Sequence, residues 1–115
     1  MRSFVMAIFL VFAAGSSVAK TPACSGPNNW AAAMAHVHLK NANLLDNESV
    51  DFSKTKVVIL ASEKVSKDLY RQIHLVTFFE KTGRQIEAIT SNEASTQECS
   101  MSPVQVFVVS GRLGG

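Results

Sequence analysis

The chain has few cysteines, prolines and tryptophans and little net charge, and each of these shortages excludes some classes of function. Its 115 residues include two cysteines, three prolines and one tryptophan, and the formal net charge is only +2. Two cysteines without a CxxC spacing do not support a thiol–disulfide redox site. The nearly balanced charge gives no electrostatic argument for nucleic acid or an anionic membrane. The six glycines are scattered, so no phosphate-binding loop is indicated.

Motifs for catalysis and metal binding are also missing. There is no GxSxG nucleophile elbow and no HExxH helix. His36 and His38 are two residues apart, so on a helix their side chains would point about 200° apart and could not share a metal. His74 falls in the middle of a predicted strand. We therefore predict no catalytic residue, no cofactor and no metal ligand.

The first residues have the three-part pattern of a secretory signal. Arg2 precedes an apolar run over residues 3–14, and small residues end at Ala19. The run is shorter than the roughly 20 residues of a transmembrane helix. We predict a signal peptide at 1–19 and a single mature domain at 20–115, without stable membrane insertion. This predicts a periplasmic or secreted protein.

The two cysteines, Cys24 and Cys99, bracket almost the whole predicted mature chain. In an oxidising compartment they are expected to form a disulfide. A closed loop of 75 residues would stabilise the fold by roughly 4 kcal/mol through restriction of the unfolded chain. Two free thiols, or lipidation of Cys24 after the apolar run, are the alternatives. The bond would tie the lead into the helix to the connection before the last strand.

Hydrophobic periodicity predicts one helix followed by four strands. The alanine-rich segment 29–45 favours a helix, with an asparagine available as its N-cap. Its apolar stripe at helical spacing predicts that Trp30 anchors the helix on the sheet. The other members of that stripe are Ala33, Met34, Val37, Leu44 and Leu45. Alternating or β-branched runs predict strands at 55–65, 69–80, 84–91 and 103–110.

The short links between these strands favour an antiparallel meander. The predicted fold class is α+β, with one N-terminal helix on a four-stranded antiparallel meander sheet and one disulfide. In outline this resembles cystatin-like and related small exported inhibitor folds, without any inhibitor signature residue. The second and fourth strands are apolar on both faces, whereas one helix covers only one face. An exposed apolar face would indicate a binding surface.

Three polar connections are the candidate partner-binding loops. They are a predicted turn after the first strand, a hairpin loop in which Gly83 suits a positive φ, and a long connection at 92–102. Their candidate contact residues are Ser66, Lys67, Asp68, Lys81, Thr82, Gly83, Asn92, Glu93 and Glu98.

Segments 61–90 and 93–110, together with the NNW sequence at 28–30, are similar to a group of small uncharacterised exported proteins of Gram-negative bacteria. Some members of that group are associated with type VI secretion regions, where small periplasmic immunity proteins are common. The resemblance implies a periplasmic protein and transfers no catalytic residue.

The leading hypothesis is therefore a small non-enzymatic binding or inhibitor protein whose partner is another protein and not nucleic acid. Its most specific form is an immunity protein against a cell-wall-active toxin. Two alternatives remain open. One is a small ligand-binding or hydrolytic domain that uses His74. The other is an envelope-assembly module that uses a strand edge or an apolar sheet face.

Overall fold

The computed structural model describes residues 21–26 and 28–109. The predicted signal peptide and the residues after Val109 lie outside the described residues. In chain order the elements are α1 (Trp30–Asn41), a turn of 3₁₀ helix (Phe52–Lys54), β1 (Lys56–Ser66), β2 (Leu69–Phe79), β3 (Gln85–Ala94) and β4 (Gln105–Val109). The strands form one antiparallel sheet in the order β1-β2-β3-β4. The α+β class and the antiparallel meander are therefore confirmed.

The predicted position of the helix as N-terminal is wrong, and its predicted length of 29–45 is too long. An extended lead precedes it, held in place because the side chain of Gln72 donates a hydrogen bond to the carbonyl of Pro22 (2.8 Å). The side chain of Asn29 then caps the helix by accepting from the backbone N–H of Ala32 (2.7 Å). Asn43 has a φ of 57°, which a helix cannot continue through, so α1 ends before it.

The four strands lie close to their predicted positions. The largest difference is β3, which continues to Ala94 because Tyr70, Arg71 and Gln72 of β2 still pair with its last three residues. Asn92 and Glu93 were predicted to lie in the following connection, and that placement is wrong. In the β2–β3 connection Gly83 has a φ of 92°, so its predicted left-handed conformation is confirmed.

The helix packs on the sheet with its small residues, not with the predicted stripe. Trp30 is 36% exposed and Val37 is 42% exposed, so the prediction that these two residues are buried where the helix is anchored on the sheet is wrong. Alanine side chains allow the helix backbone to approach the sheet closely, and Ala32 and Ala35 belong to the same core cluster as the buried Ala88 of β3. The buried helix residues are Ala31, Ala32, Ala35 and Leu39.

The predicted disulfide is confirmed. Cys24 and Cys99 are bonded, with their Cα atoms 5.8 Å apart. The bond joins the extended lead to the connection that enters β4. Among the described residues, no helix has both the length and the apolar character needed to cross a membrane.

Candidate functional site

Two of the three predicted partner-binding loops meet at one end of the sheet. The β1–β2 turn contacts the β3–β4 connection, because the backbone N–H and the hydroxyl of Thr96 both donate to Asp68 (3.0 and 2.7 Å). The hydroxyl and then the backbone N–H of Thr96 hold the pKa of Asp68 below its usual value. Ser66 and Lys67 belong to the same turn, and Glu98 lies in the connection.

The remaining candidate residues do not join that surface. Lys81, Thr82 and Gly83 connect β2 to β3 and therefore lie at the opposite end of the sheet. Asn92 is buried and donates to the carbonyl of Cys99 (2.9 Å). Glu93 lies in β3, where its carboxylate is 3.8 Å from the guanidinium of Arg71. The predicted residues are thus divided between two ends of the sheet and its interior.

His74 lies in the middle of the sheet's helix-facing side and is completely buried. Its strand neighbours are Ile59 of β1 and Thr90 of β3. Burial lowers the pKa of His74, and the nearby backbone of Cys24 offsets this only in part, without reaching standard hydrogen-bond geometry. A hydrolytic or ligand-binding role for His74 would require the lead or the helix to move first.

The buried polar residues around His74 fasten the extended lead and the long connection. Gln72 donates to the carbonyl of Pro22 and also to the hydroxyl of Ser62 (3.2 Å). Asn92 reaches the backbone at Cys99, next to the disulfide. Buried polar groups need such partners to offset the cost of removing them from water. These hydrogen bonds fasten both segments, and His74 itself is fully buried.

A cleft of about 510 Å³ lies between the C-terminal end of α1 and β4. One wall is formed by Val104, Val106 and Val108 of the β4 region, whose side chains share the helix-facing side of the sheet. Leu39 forms part of its floor and Leu44 part of its mouth. None of the described lining residues carries a carboxylate, an ammonium or a guanidinium group. The cleft is therefore suited to uncharged, apolar groups.

The opposite wall of the cleft comes from the C-terminal end of the helix, where His38 and Ala42 line it. Trp30, Met34 and His38 are spaced four residues apart and therefore share a face of α1. The indole N–H of Trp30 donates to the carbonyl of Ser102 (3.1 Å), just before β4, and His38 lines the cleft beside β4. The helix thus runs alongside β4 and holds this row toward the edge of the sheet.

The edge of the sheet at β4 is uncovered within the described part of the chain. No described residue pairs with the side of β4 that faces away from β3. Phe107, Val108 and Val109 are all exposed there. On the face opposite the helix, one register row carries an apolar side chain on each of the four strands. These are Val58, Leu75, Ile89 and Phe107.

A second cleft, of about 650 Å³, lies below the end of the helix and is polar. Three of its five charged lining residues have partners within the chain. Arg84 lies 3.4 Å from the carboxylate of Glu80, and Asp46 accepts from the backbone N–H of Glu48 (3.1 Å). No three histidine, cysteine, aspartate or glutamate side chains in residues 21–26 and 28–109 lie close enough to share a metal ion.

No family model, curated protein or solved structure matches this chain. The resemblance to small exported proteins of Gram-negative bacteria therefore stays a prediction.

Sequence reasoning missed the cleft because its two walls come from segments about 60 residues apart along the chain. Periodicity reports which face of one element is apolar, not which elements face each other. One signal was available: the fourth strand is apolar on both faces and carries no charge. That pattern predicted an exposed apolar surface without locating its second wall.

Proposed function

We propose that the protein is a non-enzymatic binding protein of the periplasm or extracellular space that holds another protein against the cleft between α1 and β4. The observation that carries this proposal is the uncharged cleft beside an uncovered strand edge. An apolar surface of this kind is typical of an interaction site, because its exposure to water is unfavourable.

The proposed compartment rests on the disulfide and on the predicted signal peptide at 1–19. A Cys24–Cys99 bond persists in an oxidising environment and would be reduced in most cytosols. Gln72 holds the lead at Pro22, Asn92 holds the β3–β4 connection at Cys99, and the disulfide joins these two segments. A reducing compartment would therefore remove part of the structure that positions β4.

A protein partner fits the shape and the exposed groups better than a small molecule does. The cleft is open along the edge of the sheet, and Phe107, Val108 and Val109 continue the apolar surface beyond it. Protein interfaces combine such an apolar centre with a polar rim. Gln105 at one end of β4 and His38 on the helix provide polar groups at the border.

Inhibition of a cell-wall-active toxin, as an immunity protein, is the most specific form of this proposal. In that case the cleft and its border would cover the toxin's active site or its target-binding surface. An inhibition assay with a purified candidate toxin would distinguish this form from binding without inhibition. The β1–β2 turn and the β3–β4 connection, which meet through Asp68 and Thr96, would be a second contact surface outside the cleft.

Site-specific photo-cross-linking in the producing cell tests the proposal. A photoreactive residue at Leu44, at the mouth of the cleft, should give a discrete cross-linked protein. Val108→Glu should remove that product by placing a charge in the cleft. Val65→Glu is the matched control, because Val65 on β1 is 41% exposed and Val108 is 46% exposed.

The cross-link from Leu44 should be unchanged in the Val65→Glu protein. A photoreactive residue at Val65 should give no comparable product. The proposal is contradicted by three outcomes: no discrete product from Leu44, equal cross-linking from Val65 and Leu44, or a Leu44 product that survives Val108→Glu.

A further inference from the structure

The main chain of β4 borders the cleft directly. Gln105 and Phe107 line it, although their side chains alternate with those of Val106 and belong to the opposite side of the sheet. Their backbone atoms therefore face the cleft. In an edge strand, every second residue presents an unpaired N–H and C=O, which another strand can satisfy.

We propose that the cleft binds an extended, uncharged segment of the partner protein, which pairs with β4 as a fifth strand and inserts large apolar side chains at every second position. This rests on the proposed function and names the chemistry of the partner. Strand addition of this type obtains affinity from the main chain and specificity from the pockets beside it.

The edge of β4 is suited to pairing along its whole described length. Its five residues pair with β3 without a register irregularity, from Glu87↔Val109 to Ser91↔Gln105. It contains no proline, and none of its side chains is charged. Proteins usually protect an edge strand with a charge, a proline or a bulge, and β4 has none of these.

The surroundings on the two faces of β4 determine which side chains the added strand could carry. On the helix side they would lie between Val106 or Val108 and His38 at the end of α1. On the other side they would lie next to Phe107 and extend the apolar row that crosses the sheet. The paired segment should therefore carry no charge on either face, with its larger side chains toward the helix.

A second copy of this chain fills the cleft less well. Pairing two β4 strands would offer the cleft only the valines at 106 and 108. The cleft has a volume of about 510 Å³, so two valine side chains would leave part of it empty. Leucine or phenylalanine side chains would use this space more fully than two valines.

Peptide binding followed by NMR tests strand addition. The probe is a short uncharged peptide in which threonine alternates with leucine and phenylalanine, added to the oxidised, isotope-labelled protein. Amide signals of β4 should shift. The outward-facing β4 amides should exchange with solvent at least about tenfold more slowly, which corresponds to about 1.4 kcal/mol of protection. Val108→Glu should remove both effects, and Val65→Glu should leave them unchanged.

Two N-methylated isomers of the peptide isolate the contribution of the main chain. Each isomer carries methyl groups on alternate amides, so one isomer blocks the edge that faces β4 and the other blocks the edge that faces solvent. The first should lose binding, and the second should bind like the unmodified peptide. Their side chains are identical, so side-chain burial alone would not separate them.

Strand addition is overturned if both isomers bind equally, which would show an apolar pocket that does not read the main chain. It is also overturned if no β4 signal shifts at millimolar peptide, or if the β4 amides become protected by self-association without peptide. None of these outcomes affects the cross-link at Leu44. Loss of that cross-link would contradict the proposed function itself, so the two failures are distinguishable.

Discussion

The two edges of the sheet are built differently. β1 has eleven residues, and its pairing with β2 shifts register at two places, between Ile59 and Ala61 and between Lys64 and Ser66. β4 has five described residues and pairs regularly with β3. One edge has the irregularities that discourage further pairing, and the other does not. Further strand pairing is therefore less favourable at β1 than at β4.

Charge strengthens this difference. β1 carries Lys56, Glu63 and Lys64, which an added strand would have to accommodate or remove from water. Lys56 is already positioned over the ring of Phe79, with its Nζ 5.6 Å from the ring centroid. β4 has no charged residue, and the helix stands beside it as the second wall of a cleft. An edge strand becomes a recognition site when a neighbouring element supplies side-chain pockets.

Removal of the disulfide should change stability most, and it should change the β4 edge more than the β1 edge. The Cys24→Ser/Cys99→Ser double variant should lose roughly 4 kcal/mol, the contribution expected for a loop of 75 residues. Because Cys99 lies in the connection that enters β4, residues 95–104 and β4 should loosen before the rest of the sheet unfolds. Denaturant unfolding gives the free energy, and hydrogen exchange shows where protection is lost. Equal loss of protection at β1 and β4 would contradict the prediction that β4 loosens first.

The wall of the cleft should be the next most sensitive element. Leu39 is 1% exposed and joins α1 to the core, so Leu39→Ala should cost about 3 kcal/mol. Val37 is on the exposed side of the same helix, and Val37→Ala should change stability by less than about 0.5 kcal/mol. Urea unfolding of both variants checks the difference. A larger loss at Val37 would support the stripe predicted from periodicity.

The outcome for Leu39 and Val37 shows which parts of this fold the sequence could predict. The strands were placed well because dense β-branched residues and alternation identify strands locally, as in Val57 and Val58 of β1. The helix was also found, but its buried face was wrong. Periodicity favours the largest apolar residues, whereas a helix lying close to a sheet buries its smallest ones, here Ala32 and Ala35.

The candidate site was less predictable than the fold. Polar loops such as Lys81–Gly83 look accessible in any sequence, and the meander places them at opposite ends of the sheet. The cleft needs Leu44 and Val106 to face each other, and nothing local to either segment encodes that contact. The charge difference between β1 and β4 was readable from the sequence. Its meaning required knowing that both strands are edges.

Acid should lower the free energy of unfolding through His74, which lies on an inner strand of the sheet. Burial lowers the pKa of His74, so as pH falls below about 6.5 the unfolded chain takes up a proton before the folded chain does. Stability should therefore be constant above that pH and fall below it until the folded-state pKa is reached. Unfolding at pH 7.5 and pH 5 measures this. The lowered pKa values of Asp51 and Asp68 act only at more acidic pH.

His74→Gln should remove the pH dependence of the free energy of unfolding between these two conditions. His38 is exposed on α1, so the His38→Gln variant should retain that pH dependence. Because His74 lies in β2, acid should reduce hydrogen-exchange protection in β1 and β4 to a similar extent. Loss confined to one edge would show that the titrating group acts through that edge and not through the centre of the sheet.

The smallest expected effect comes from the contact between the helix and the start of β4. Trp30→Phe keeps an aromatic ring but removes the N–H that donates to the carbonyl of Ser102, an exposed hydrogen bond of about 0.5–1 kcal/mol. Amides at the beginning of β4 should exchange faster, while those of β1 stay unchanged, because β1 has no contact with this bond. Native-state hydrogen exchange resolves the two edges. Faster exchange at both edges would mean that Trp30 stabilises the whole sheet. It would contradict a contact that acts specifically between α1 and the β4 edge.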